Sequence, residues 1–136
     1  MYSQGERVMY YFEKDYIMRL IHGISQVLAR FLLGRDLENG LPAALERECG
    51  EANDRFRAMV DSGQINAAEN QLFELIDASG WEPAALGTLI LLFYDYVNSK
   101  DDAFLEAASF SREEIITGRE DALRRIGMEI PEYLKI

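Results

Sequence analysis

The stretch WEPAALGTLILLFYDYVNSK, residues 81–100, decides the fold. Pro83 suits the first position of a helix, where its missing N–H is no loss. From there Leu86, Leu89, Ile90, Phe93 and Val97 recur at spacings of three and four, which is the period of one helix face. Leu91, Leu92, Tyr94 and Tyr96 fill the other faces. A helix apolar nearly all round must be enclosed by other elements. The stretch therefore predicts a central helix packed on several sides.

The flanking sequence keeps the helical period and offers no convincing strand alternation. Immediately upstream, GQINAAENQLFELI (residues 63–76) opens with Gly63, which ends one helix. The next begins near Ile65 or Asn66, with Asn66 as a cap and Glu69 in the capping-box position. Its apolar face is Ala68, Leu72, Leu75 and Ile76, with Phe73 beside it, and Gly80 closes it. The helix before it starts near Asn39 or Leu41 and tolerates Pro42 in its first turn. Leu45, Cys49, Ala52, Phe56, Met59 and Val60 form its stripe. Further upstream a long helix is expected over residues 10–33, with Ile17, Leu20, Ile21, Ile24, Val27, Leu28, Phe31 and Leu32 as a broad apolar stripe. Asp15, Arg19, His22, Gln26 and Arg30 line its other face, and Gly34 reads as its stop. Downstream, a short helix over about 100–108 takes Ser99 as a cap. Ser111 and Glu114 then form a capping box for a last helix ending near 126, before Gly127 and Pro131.

The expectation is thus an all-α single domain over residues 1–136, with about six helices joined by short loops as antiparallel neighbours. Residues 1–8 are set apart as an extension, disordered if it is an upstream addition. Residues 10–33 are the long amphipathic helix, 40–108 two hairpins, and 111–126 a capping helix. Tetratricopeptide repeats are helix pairs of 34 residues. Ile65, Ala68 and Leu72 fit the apolar, small and large positions of such a repeat's second helix, but Leu75 stands where a small residue belongs. Upstream, Ala52, Arg55, Phe56 and Met59 replace the expected Trp, Leu-Gly and Tyr. The hairpins are repeat-like in shape, a right-handed tetratricopeptide-like array without a true repeat sequence.

Composition removes several functions. The net charge is −10, and residues 58–99 carry six acids with no Lys or Arg. A nucleic-acid binder needs a basic stripe to displace counterions, and an anionic membrane surface makes the same demand. No run reaches the ~18 apolar residues of a membrane span, and Glu6, Arg7, Glu13, Lys14 and Asp15 break any secretory apolar region. With Cys49 alone, no internal disulfide forms. The expected location is the cytoplasm.

Catalytic and metal chemistry find no constellation. His22 is the single histidine and lies on the polar flank of the first helix, with no nucleophile or orienting group nearby in sequence. Cys49 sits on an apolar stripe, where a cysteine is structural. One His and one Cys make no zinc set, and neither an EF-hand loop nor a glycine-rich phosphate loop is present. The chain is therefore expected to be a non-enzyme without cofactor or metal. Gly23 and Gly87 lie inside helices and permit close helix approach.

Two groups are candidates for partner contact. Tyr10, Ile17, Ile24 and Phe31 fall seven residues apart on the first helix. Leu20 with Val27, and Ile21 with Leu28, add two more rows, beyond what one neighbouring helix needs. Such a face is buried either against the rest of the chain or against its own copy in a homodimer. Trp81, Tyr94 and Tyr96 are candidate partner anchors, as aromatics often are, with core closure as the alternative.

The segments EKDYIMRLIHGISQVLARFLLG, INAAENQLFELI and LLFYDYVNSKDDAFLEAASFSREEI resemble a family of small uncharacterised bacterial proteins, a domain of unknown function. Members begin close to the equivalent of Met9. The resemblance implies a bacterial helical protein and brings no activity, cofactor or catalytic residue. The functional expectation is a helical protein-interaction module. The alternative is a small-molecule binder or enzyme using a pocket between helices.

Overall fold

The computed structural model describes the backbone of residues 4–135 and the side chains of residues 15–135. Among these residues there are six α-helices and no strand. They are α1 (Gln4–Leu28), α2 (Ala43–Asp61), α3 (Ile65–Ala78), α4 (Pro83–Asn98), α5 (Asp102–Ala107) and α6 (Arg112–Arg125). A π-helical turn, Ala29–Leu33, prolongs α1 to Gly34, whose φ of 63° makes it the expected left-handed stop. The long helix starts earlier than its apolar pattern: residues 4–8, set apart as an extension, are helical, and residues 1–3 lie outside the described residues.

The central helix is α4. It packs on α1, α2, α3 and α6, and its principal partners are α6 and α2. Eleven of its sixteen residues are buried, which is the circumferential burial its sequence demanded. Four helices thus gather round one, and α5, with only six residues, leaves α4 to pair chiefly with α6.

Small residues set the closest approaches. A Cβ on Gly87 of α4 would stand 3.1 Å from Leu33 Cδ2 and 3.2 Å from Met128 Sδ, so the π turn and the segment after α6 both close over this glycine. A Cβ on Gly118 of α6 would fall 2.6 Å from the Tyr94 hydroxyl. Glycine there lets α6 lie against the tyrosine.

Polar side chains tie the helix ends. Arg112, at the start of α6, donates from Nη1 to the Asn98 backbone oxygen at 2.6 Å and from Nη2 to the Lys100 backbone oxygen at 2.7 Å. It thereby satisfies carbonyls that the end of α4 leaves open. Asn98 Nδ2 in turn donates to the Met18 backbone oxygen at 2.8 Å, joining α4 to α1. The Ser111–Glu114 capping box is present. Two other caps differ from expectation. Asn66 does not cap α3; its side chain reaches the Ser109 backbone oxygen at 3.2 Å, and Tyr94 takes Glu69. Asp101, not Ser99, caps α5 by accepting from the Phe104 N–H at 2.8 Å.

Candidate functional site

The apolar stripe of α1 divides in two. Ile21, Ser25, Leu28 and Ala29 are buried and face the body of the protein. A second row remains at the surface: Tyr16 is 65% exposed, Ile17 40%, Val27 46% and Phe31 60%. Only five large hydrophobics are exposed among the described residues, and these are four of them, so the exposure is concentrated on one element. Leu20 and Ile24 lie in the same row and are half-buried, Ile24 packing against the core. Residues 17, 20, 24, 27 and 31 alternate spacings of three and four, which is the seam pattern of paired helices. The seven-residue set singled out from sequence is therefore placed as follows. Ile17 and Phe31 are exposed and Ile24 is half-buried, while the Tyr10 side chain lies outside the described residues. Tyr16 and Val27 belong with them; the three-and-four spacing was the signal that finds Val27.

The candidate anchors do not gather at one place. Tyr94 is fully buried and cannot touch a partner. Its hydroxyl donates to Glu69 Oε2 at 2.7 Å, and its ring meets Phe93 edge-on at 5.0 Å. It serves the core because its position on α4 turns toward α3 and α6. Trp81 is half-buried against the core, with its backbone N–H donating to Ser79 Oγ at 3.1 Å. Tyr96 is half-buried, donates to Asp61, and carries Arg57 and Lys100 over its ring at 4.4 and 4.8 Å. Lys100 Nζ meets Asp61 Oδ1 at 2.6 Å. That hydrogen bond, with the one from Tyr96, holds the Asp61 carboxyl below the ordinary aspartate range.

His22 is not the isolated residue its sequence neighbours suggest. Its Nδ1 lies 2.5 Å from Asp95 Oδ1 on α4, a contact across 73 residues that no local spacing reveals. Beside it, Arg119 of α6 is buried and donates from Nη1 to Ser25 Oγ at 2.8 Å and to the Ile21 backbone oxygen at 3.0 Å. Ser25 is itself fully buried, so this polar junction of α1, α4 and α6 is closed to a substrate at the serine. Cys49 is buried, and desolvation with the neighbouring Glu48 charge raises its thiol above the ordinary range. No group of three or more His, Cys, Asp or Glu side chains among the described residues is placed to hold a metal ion.

Two open hollows of the described surface flank α6. One, of about 530 Å³, lies between α3 and α6 and is lined by Glu69, Glu114, Thr117, Glu120 and Asp121. The other, of about 500 Å³, adjoins Phe31 and is walled by Met128, Ile130 and Pro131 together with the charged Glu120, Arg124, Glu129, Glu132 and Lys135. In the first, burial raises the Glu69 carboxyl above the ordinary glutamate range, with the Glu114 and Asp121 charges acting in the same direction. A carboxyl whose proton binds more tightly in the folded state adds stability in acid and loses it as the pH rises past its unfolded value. Glu69→Gln, which keeps an acceptor for Tyr94, is expected to match the parent at about pH 4 and to be more stable at about pH 7. Urea unfolding at both values checks this, and an equal or lower stability at the higher pH contradicts it.

No helix among the described residues is long and apolar enough to cross a membrane. A family model described as "Family of unknown function (DUF6483)" matches residues 11–127. None of the curated proteins and none of the solved structures compared with the chain matches it.

Proposed function

The chain belongs to this family of unknown function, DUF6483, and from that premise we propose that it is a non-enzymatic helical protein-interaction module of the bacterial cytoplasm, acting as a homodimer through α1. One observation carries the reading: the exposed large hydrophobics collect on a single face of α1 while the rest of the described surface is largely free of them. Contiguous exposed apolar surface marks interaction sites. An expected result follows for Phe31→Asp, which places a charge in the face without disturbing a buried side chain. Light scattering at micromolar concentration is expected to give twice 15.6 kDa for the parent chain and 15.6 kDa for the variant. A parent chain of monomer mass removes the homodimer.

A second reading rests on a cleft of about 440 Å³ beside α2 and α4, where Asp54, Arg57, Asp95 and Tyr96 converge. Convergent polar groups in a concavity suit a small polar ligand. A concentration-dependent rise in melting temperature with metabolites, lost in Arg57→Ala, supports that alternative.

A further inference from the structure

Glu69 stands where α3, α4 and α6 meet. Its Oε2 accepts from the Tyr94 hydroxyl of α4 at 2.7 Å and lies 2.5 Å from where a Cβ on Gly118 of α6 would stand. The carboxyl is thus wedged at the closest approach of α6 to the other two helices. Among the described residues no Lys, Arg or His nitrogen comes within ion-pair distance of it. Four residues before Gly118 is Glu114 and three after it is Asp121, and helix positions at those spacings share a face. Both line the same hollow as Glu69.

The bases around this face are engaged elsewhere. Arg124, which also lines the hollow, meets Glu120 at 3.0 Å and Asp121 at 3.9 Å on its own helix. Lys135 reaches Glu120 at 3.6 Å. Arg125 crosses to Asp77 of α3 at 3.2 Å, lies 3.9 Å from Asp121 and covers the Phe73 ring at 4.5 Å. At the other end of α6, Arg112 ties the helix to the backbone oxygens of Asn98 and Lys100. The helix is therefore held at both ends, while between them acid faces acid. On the opposite side α3 packs chiefly on α2, and its contact with α6 is narrower.

We propose that Glu69 is a proton-operated latch between α3 and α6: its neutral carboxyl lets the two helices close at Gly118, and its ionised carboxylate, facing the acids of α6 with no cation of its own, parts them. The inference is independent of the α1 interface. A neutral carboxyl is cheaper to bury than a carboxylate and does not repel Glu114 or Asp121. Burial and the Glu69 charge raise the Tyr94 phenol, so its hydroxyl remains a donor in both states. Burial also raises the Glu69 carboxyl; the Tyr94 hydrogen bond works against this, and the Glu114 and Asp121 charges add to it. In the parted state Glu69 meets water and titrates in the ordinary range. The closed state binds the proton more tightly, so closure is complete in acid and weakens as the pH rises through the closed-state value. In that interval the opening constant rises by up to about tenfold per pH unit, and above it the constant levels off. The hollow of about 530 Å³ is then tightest in acid. The pH dependence belongs to this seam and not to the chain as a whole.

Hydrogen exchange of the full chain, referred to the intrinsic rate at each pH from about 4 to about 8, tests the latch. Amides of residues 66–76 and 114–122 are expected to lose protection as the pH rises, while those of residues 46–58 in α2 keep theirs. In Glu69→Gln that loss is expected to vanish, with protection near the parent's acid value throughout. Glu114→Gln, which keeps the capping box, and Asp121→Asn both leave Glu69 in place and are expected to lessen the loss. A loss shared equally by all helices makes Glu69 a determinant of global stability and overturns the latch. A loss at the seam that persists in Glu69→Gln belongs to another group and overturns it as well, as does protection that stays level across the range. Should Glu69→Gln fail to fold, the other two variants decide, and an undiminished loss in both overturns the proposal.

Discussion

Tyr94→Ala is expected to lower the unfolding free energy by about 3–5 kcal/mol, the range for deleting a buried aromatic side chain. Tyr94 is fully enclosed at the meeting of α3, α4 and α6. Its ring meets Phe93 at 5.0 Å, and Phe93 meets Phe56 of α2 at 5.9 Å, both edge-to-face. Alanine breaks this row of rings and leaves a void against Gly118. It also removes the donor to Glu69, whose partly desolvated carboxylate then loses a hydrogen bond. Tyr94→Phe separates the two contributions, since it keeps the ring and loses only the hydroxyl; a fall of about 1–2 kcal/mol is expected. Urea unfolding of both variants reads the effect. A Tyr94→Ala chain with unchanged stability but altered partner binding would show that the residue acts at a surface, contrary to its burial.

Arg119→Met is expected to act in the same direction but less, lowering stability by about 1–2 kcal/mol. Burial pulls the Arg119 guanidinium down to about 10, with the Asp95 and Glu120 charges only partly offsetting it. Keeping the charge there costs on the order of 3 kcal/mol. Against this stand two hydrogen bonds from a charged donor, to Ser25 Oγ and the Ile21 backbone oxygen, worth about 1.5–3 kcal/mol each. The Nε–H is buried without a partner. Methionine has a similar stem and fills the space without the charge. Because the folded-state value is lowered, the penalty is present in full below about pH 10 and declines only above it, so neutral pH shows the whole balance. Arg119→Ala, which also empties the site, is expected to lose about 2–3 kcal/mol instead. Should Arg119→Met unfold less readily than the parent, desolvation outweighs the two hydrogen bonds and the junction is no net tie between α1 and α6.

Much of the fold was legible because helix periodicity is a local property. The apolar circumference of α4, the stop at Gly34 and the Ser111–Glu114 box all depend on residues within a turn or two of one another. The misreadings share a cause. Asn66 and Glu69 have the spacing of a cap, but each found a stronger partner far along the chain, the Ser109 backbone and Tyr94. His22 looked solitary because Asp95 lies 73 residues away.

By itself, then, the sequence determined the all-α class, the number and approximate limits of the helices, the central role of α4 and the apolar excess on α1. Each follows from side-chain period and backbone chemistry over a few residues. The tertiary structure alone decided which row of α1 turns inward. Ile21 and Leu28 are no more apolar than Ile17 and Val27. What separates them is that Ser25, on the same side, meets Arg119 of α6 at 2.8 Å, and that Asn98 of α4 holds the Met18 backbone oxygen at 2.8 Å. Those long-range polar contacts set the rotation of α1 about its own axis, and with it the row left facing outward.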